Sequence, residues 1–153
     1  MHLTPVDVGG DARTIAVILE TGDEIVGTLE RLARSEGWRA SHFTAIGALS
    51  EATLAYFDWE TRDYVDIPIT EQMEVLSLVG DVSVKDGVPR LHAHAVLGSR
   101  DGTTRGGHLK AGRVRPTLEV MLVETGGHLE RRYDPESRLD LIRPVHVRGG
   151  RGG

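Results

Sequence analysis

Residues 13–143 predict a single α+β domain, a twisted and mainly antiparallel sheet with one principal helix, on three observations. The segment 21–37 carries the clearest run of apolar residues at helical spacing. From residue 42 onward the apolar segments are short, rich in β-branched residues and mostly alternating. Between them lie turn-forming stretches such as "KDGVP", "SRDGTTRGG" and "ETGGH".

Taken in order, "RTIAVILE" at 13–20 reads as a buried strand because of its β-branched run. In "TGDEIVGTLERLARSEG" the positions Ile25, Val26, Leu29, Leu32 and Ala33 fall on one helical face. Thr21 with Glu24 three residues later has the form of a capping box, and Gly37 is a C-terminal stop. Six strand segments follow: "HFTAIGAL", "EATLAYFDW", "DYVDIPI", "MEVLSLVGDVSV", "RLHAHAVLG" and "PTLEVMLVE". "PESRLDLI" at 135–142 is expected to form a short closing helix. Residues 1–12 read as a polar lead-in and 144–153 as a flexible glycine-rich tail. No internal repeat or second-domain boundary interrupts the 153 residues.

Composition narrows the chemistry. The chain has no cysteine, so a transition metal must be held by imidazole and carboxylate groups. Its formal charge of −5 lacks the basic footprint of a duplex DNA binder. No apolar run approaches the roughly 20 residues of a membrane span, and "MHLTPVDVGG" does not have the form of a signal peptide. A cytoplasmic location without a membrane partner is expected.

The densest chemistry lies in "RLHAHAVLGSRDGTTRGGHLKAG", which places three of the seven histidines within residues 90–112. Strand alternation puts His92 and His94 on one face, their alpha carbons roughly 7 Å apart. Two imidazoles so placed form a metal half-site. His108 can supply a third, with Gly106 and Gly107 permitting close backbone approach. Three neutral imidazoles with an open position suit a divalent transition metal, zinc foremost. The alternative is a half-solvated strand carrying polar residues outward. A cupin motif also contains His-X-His but continues to a glutamate, where this chain reads "AVLGSR".

Glu74 in "MEVLSL" and Glu119 in "TLEVML" are lone carboxylates in apolar strands, and burying one unpaired is costly. As functional groups they would move protons, orient a histidine or ligate a metal. As structural groups they would pair with Arg113 or Arg115, or face solvent. His2, His42, His128 and His146 are isolated, and "YFDW" at 56–59 reads as packing at a strand end. There is no Gly-rich phosphate loop and no Gly-X-Ser-X-Gly nucleophile elbow.

In their order, "GALSEATLAYFD", "EVLSLVGDVSVKDGVPRLHAHAVLG", "GGHLKAG" and "TLEVMLVE" resemble the plants-and-prokaryotes conserved domain, PPC or PCC, from about residue 13 to 134. The resemblance implies a twisted, mainly antiparallel sheet beside one helix, assembled as a homotrimer. It implies that His92, His94 and His108 occupy the positions of a histidine cluster that looks like a metal site near a subunit boundary. Glu74 falls at the recurrent glutamate of the family. Plant members carry AT-hooks and a Gly-Arg-Phe-Glu-Ile-Leu signature. This chain has no Arg-Gly-Arg-Pro hook and reads "EQMEVL" at the signature, with Gln72 and Met73 in place of Arg and Phe.

Three functions are therefore expected, in descending order. The first is a trimeric metal-binding protein that takes a small-molecule ligand or regulates. The second is a metal-dependent hydrolase or lyase acting on a small polar molecule, with Glu74 or Glu119 moving protons. The third is the DNA association that the family label carries.

Overall fold

The computed structural model describes residues 1–7 and 12–143; positions 8–11 of the expected lead-in, the expected tail and His146 lie outside the described residues. The elements in order are β1 (His2–Asp7), β2 (Arg13–Glu20), α1 (Ile25–Glu36), β3 (Ser41–Asp58), β4 (Asp63–Ile69), β5 (Met73–Lys85), β6 (Val88–Gly98), β7 (Thr104–Glu124), β8 (Arg131–Tyr133) and β9 (Asp140–Ile142). Among the described residues, no helix is long and apolar enough to cross a membrane.

The architecture rests on two long antiparallel strands, β3 and β7, paired from Ser41↔Glu124 to Ala55↔His108. Each shares its other edge between two partners. β3 takes β5 along its first half and β4 along its second. β7 takes β6 at its start and β2 at its end. Pairing of β5 with β6 completes a closed ring, β3–β5–β6–β7, with β1, β2 and β4 as outer strands. β3 was expected as two segments, and of β7 only the second part, "PTLEVMLVE", was expected as a strand. Both run through their polar interruptions by shifting register, as at Ala45/Gly47 and Leu49/Glu51. Gly47 makes the first bend possible: its φ is 151°, and a Cβ there would lie 2.3 Å from the Thr117 carbonyl oxygen.

Strand alternation fills the interior with Val17, Leu19, Phe43, Leu54, Leu78, Leu97, Leu118 and Val120, each 2% exposed or less. The helix contributes Ile25, Thr28, Leu29, Leu32 and Ala33, which recur every three or four residues and form its buried stripe. Full burial of each large aliphatic side chain stabilises the fold by roughly 1.5–3 kcal/mol. The helix starts at Glu24 rather than with a Thr21 capping box. The Glu24 carboxylate accepts from the N–H groups of Val26 (3.2 Å) and Gly27 (2.7 Å), and Thr21 Oγ1 donates to the Pro116 carbonyl. Gly37 ends the helix as expected, with φ 71° and Trp38 N–H donating to the Ala33 carbonyl.

Two other expectations change. Residues 2–7 of the lead-in form β1, paired antiparallel with β2 from His2↔Ile18 onward. The segment 135–142 makes no helix. Asp134 accepts from the backbone and hydroxyl of Ser137, a start that resembles a helix cap, but Arg138 turns to φ 62° and the chain returns as β9 against β8. So few residues without a deep apolar stripe cannot offset the cost of nucleating a helix.

Candidate metal centre

The centre is built on β6, where Ala93, Ala95 and Leu97 point into the core and Arg90, His92 and His94 point outward. Pairing with β7 places His108 directly opposite His94. Gly107 makes that approach possible, since a Cβ there would lie 2.7 Å from the Ala55 carbonyl oxygen on β3. One ring nitrogen from each histidine can be chosen so that all three lie within 4.8 Å of one another. Ring centroids are 5.2 Å apart for His92–His94 and His92–His108, and 5.5 Å for His94–His108. Tyr64 stacks on His108 at 4.8 Å, and Phe57 meets Tyr64 edge-on at 5.3 Å. The trio expected from sequence is brought together.

The protonation balance favours metal binding. Burial, reinforced by His92, His94, Lys110 and Arg131, lowers the His108 pKa to about 4. Burial and His92 also lower that of His94. Rings kept neutral near pH 7 are in their ligating form. His108 Nδ1 is buried and lacks a hydrogen-bond partner, an uncommon state that a ligated ion or a donor would relieve. Three nitrogens bound tetrahedrally at about 2.0–2.1 Å from zinc would lie about 3.3 Å apart, so small rotations would close the trio. The residues present fit a divalent transition metal.

Around the trio stands a polar support outside the residues expected from sequence. Asp81 on β5 is the register partner of His92, with Oδ2 3.5 Å from His92 Nδ1. Arg131 of β8 donates to both Asp81 oxygens, at 2.8 and 3.1 Å, and through Nε to Ser83 Oγ at 2.6 Å. Ser83 Oγ donates to Asp81 Oδ1 at 3.0 Å. Burial alone would push the Asp81 carboxyl up, but hydrogen bonds from His92, Arg131 and Ser83 outweigh it and hold the group below its usual range. A carboxylate on the far nitrogen of a histidine fixes its tautomer and ring angle, the arrangement typical behind metal ligands.

The trio opens into a cleft of about 450 Å³, walled by Tyr64 and Phe57 on one side and by Leu139, Asp140 and Leu141 of the β8–β9 hairpin on another. Neither Glu74 nor Glu119 is among its lining residues. Both are exposed, Glu74 opposite Gly98 and Glu119 opposite Ile46. Alternation turns each outward, so neither suffers the burial cost that suggested a partner. Arg113 and Arg115 are engaged elsewhere, with Glu51 and Gln72. Glu74 instead borders a separate surface hollow with Glu71, Gln72 and Arg100.

Comparison with known proteins agrees with this architecture. The metal-containing protein AF0104 from Archaeoglobus fulgidus is 35% identical with a TM-score of 0.81, over 90% of this chain and 96% of that one. A plant- and prokaryote-conserved protein from Pyrococcus horikoshii is 31% identical with a TM-score of 0.81, over 95% and 97%. A candidate DNA-binding protein from Bacteroides thetaiotaomicron is 26% identical with a TM-score of 0.82, over 92% and 96%. Among curated proteins, the Bifunctional protein GlmU of Synechococcus sp. (strain JA-3-3Ab) is 35% identical over 118 residues, 76% of this chain and 18% of that protein. The chain thus spans about a fifth of the length of the curated relatives it matches. The model of the Plants and Prokaryotes Conserved (PCC) domain matches residues 6–126, and the chain belongs to that family.

Proposed function

We propose that the chain is a trimeric PCC-domain protein in which His92, His94 and His108 hold a divalent transition metal, zinc foremost, and that it serves as a ligand-binding or regulatory module. The observation that carries the reading is the convergence of three imidazoles, two of them held neutral, on a cleft beside the Asp81–Arg131 support. Kinship with a metal-containing archaeal protein supports it. Trimer formation is supported by Ile46, Leu76, Val79, Val96 and Met121, which are 42–60% exposed on the outer faces of four neighbouring strands.

The test is elemental analysis of protein purified without a histidine tag, with mass determination in solution. One metal per chain, lost in His92→Ala, and a threefold mass are expected. Absence of stoichiometric metal after zinc addition overturns the metal assignment, and a monomeric mass overturns the trimer.

A second reading, a hydrolase or lyase for a small polar molecule, is favoured by the open cleft beside the trio. When bound, the metal would supply Lewis acidity. Glu74 or Glu119 could take part only from a neighbouring copy, because its own chain does not bring either to the cleft. DNA association rests on the descriptions of relatives alone; a titration at two salt concentrations tests it, since phosphate contacts give a steep salt dependence.

A further inference from the structure

The cleft beside the trio differs in charge from the chain as a whole. Its ionised lining groups are Lys85, Arg90 and Arg131 with one carboxylate, Asp140, and Asp81 behind the lining compensates Arg131, whereas the chain carries a formal −5. Low-dielectric walls focus the field of such a cluster on whatever enters. A divalent metal on the three imidazoles would add to the same sign.

The three cations are not equivalent. Arg131 is committed, since its Nε and both terminal nitrogens donate to Ser83, Asp81 and the Asp140 carbonyl. Lys85 donates to Asp140, which leaves it two further N–H groups. Arg90 is the least engaged. Its nearest carboxylate, Glu30, is 3.6 Å away, long beside the ~2.7–2.9 Å of a charge-assisted bond. Glu30 also accepts from the Leu91 N–H. Arg90 stands two residues before His92 on the same face of β6, with its side chain 53% exposed. Besides these polar groups the cleft lining includes Phe57, Leu139 and Leu141, apolar surface for an apolar body rather than a second charge.

We propose that the cleft binds a small carboxylate with a short apolar body, its charged end received by Arg90 and Lys85 beside the histidine trio and its apolar end lying against Phe57, Leu139 and Leu141. This deepens the reading above and rests on it for the metal. The selectivity comes from the sign of the charge. Isosteric neutral molecules of the same length would meet the same apolar side chains without a charge pair, and cationic ones would meet the like charges of Arg90 and Lys85.

The experiment titrates butyrate, butanol and butylammonium into zinc-loaded protein and into its Arg90→Ala variant. Binding is followed by amide chemical shifts, and zinc is measured in the same samples. Arg90 is exposed and lies outside the imidazole set, so the variant keeps fold and zinc. Saturable shifts around the cleft with butyrate alone are expected, weakened on the order of tenfold in the variant, the loss of one charged contact. Equal responses to all three compounds, a preference for butylammonium, no response, or unchanged butyrate binding in the variant would each overturn the carboxylate assignment. If the samples hold no zinc yet butyrate is still selected through Arg90, the metal reading falls and the anion cleft stands. If zinc is held at one per chain without charge selection, the reverse is concluded.

Discussion

Asp81 faces His92 directly across the β5–β6 pair, its carboxylate 3.5 Å from Nδ1 on one side and clasped by Arg131 on the other. The imidazole that begins the His-X-His pair is therefore aimed from behind. The Arg131 side chain is only 10% exposed, so its charge depends on Asp81 for compensation.

Replacing that carboxylate separates its two duties. Asp81→Asn keeps the shape but removes the charge. Metal affinity is expected to fall about 10- to 100-fold, measured by competition with a chromophoric chelator. Stability is expected to fall by about 2–3 kcal/mol in urea denaturation, because a mostly buried guanidinium loses its counter-charge. Unchanged affinity together with reduced stability would assign Asp81 to the fold alone.

Acid sensitivity of the metal-free protein follows from His108. Its folded pKa of about 4 lies below the ordinary 6.5, so the unfolded chain binds a proton there more readily than the folded one. The resulting penalty is absent above about pH 6.5, grows as pH falls and levels off below about pH 4. After allowance for partial exposure it amounts to the order of 2 kcal/mol. The melting temperature of His108→Gln should decline less steeply over that window. Parallel curves for the two proteins would contradict the assignment. His94 adds in the same direction.

Gly107→Ala probes the backbone approach that brings β7 to the site. The added methyl would meet the Ala55 carbonyl oxygen at 2.7 Å, whereas at Gly106 the nearest atom is 3.3 Å away. A loss of about 1–3 kcal/mol and weakened metal binding are expected for Gly107→Ala, with smaller effects for Gly106→Ala. Thermal melts and chelator competition on the pair give the comparison, and equal effects would refute it.

The start of α1 offers a test away from the site. Glu24 accepts from the N–H groups of Val26 and Gly27 and, at 3.4 Å, from Gly112 on β7, so it caps the helix and ties it to the sheet. Glu24→Ala is expected to cost about 1–2 kcal/mol in chemical denaturation, with metal content unchanged.

Local signals carried the helix, the β segments and the histidine trio, because each rests on residues close in sequence. Alternation alone puts His92 and His94 on one face. Asp81 was in fact legible too: Asp86 and Gly87 both have positive φ, the signature of a two-residue hairpin, and pairing Lys85 with Val88 fixes Asp81 opposite His92. Arg131 and Tyr64 could not be placed this way, since they reach the site through the β8–β9 hairpin and the outer β4 strand. Glu74 and Glu119 turn outward on their own chain, and composition alone does not tell which face of a strand an acidic residue occupies.

The clasp at Arg131 also bears on where this domain ends. The family match stops at residue 126, yet the guanidinium that steadies Asp81 and the leucines that wall the cleft come from later in the chain. A fragment trimmed to that boundary would retain all three imidazoles of the trio while losing both the brace behind the first of them and part of the chamber lining, and so would misrepresent what the longer chain can hold.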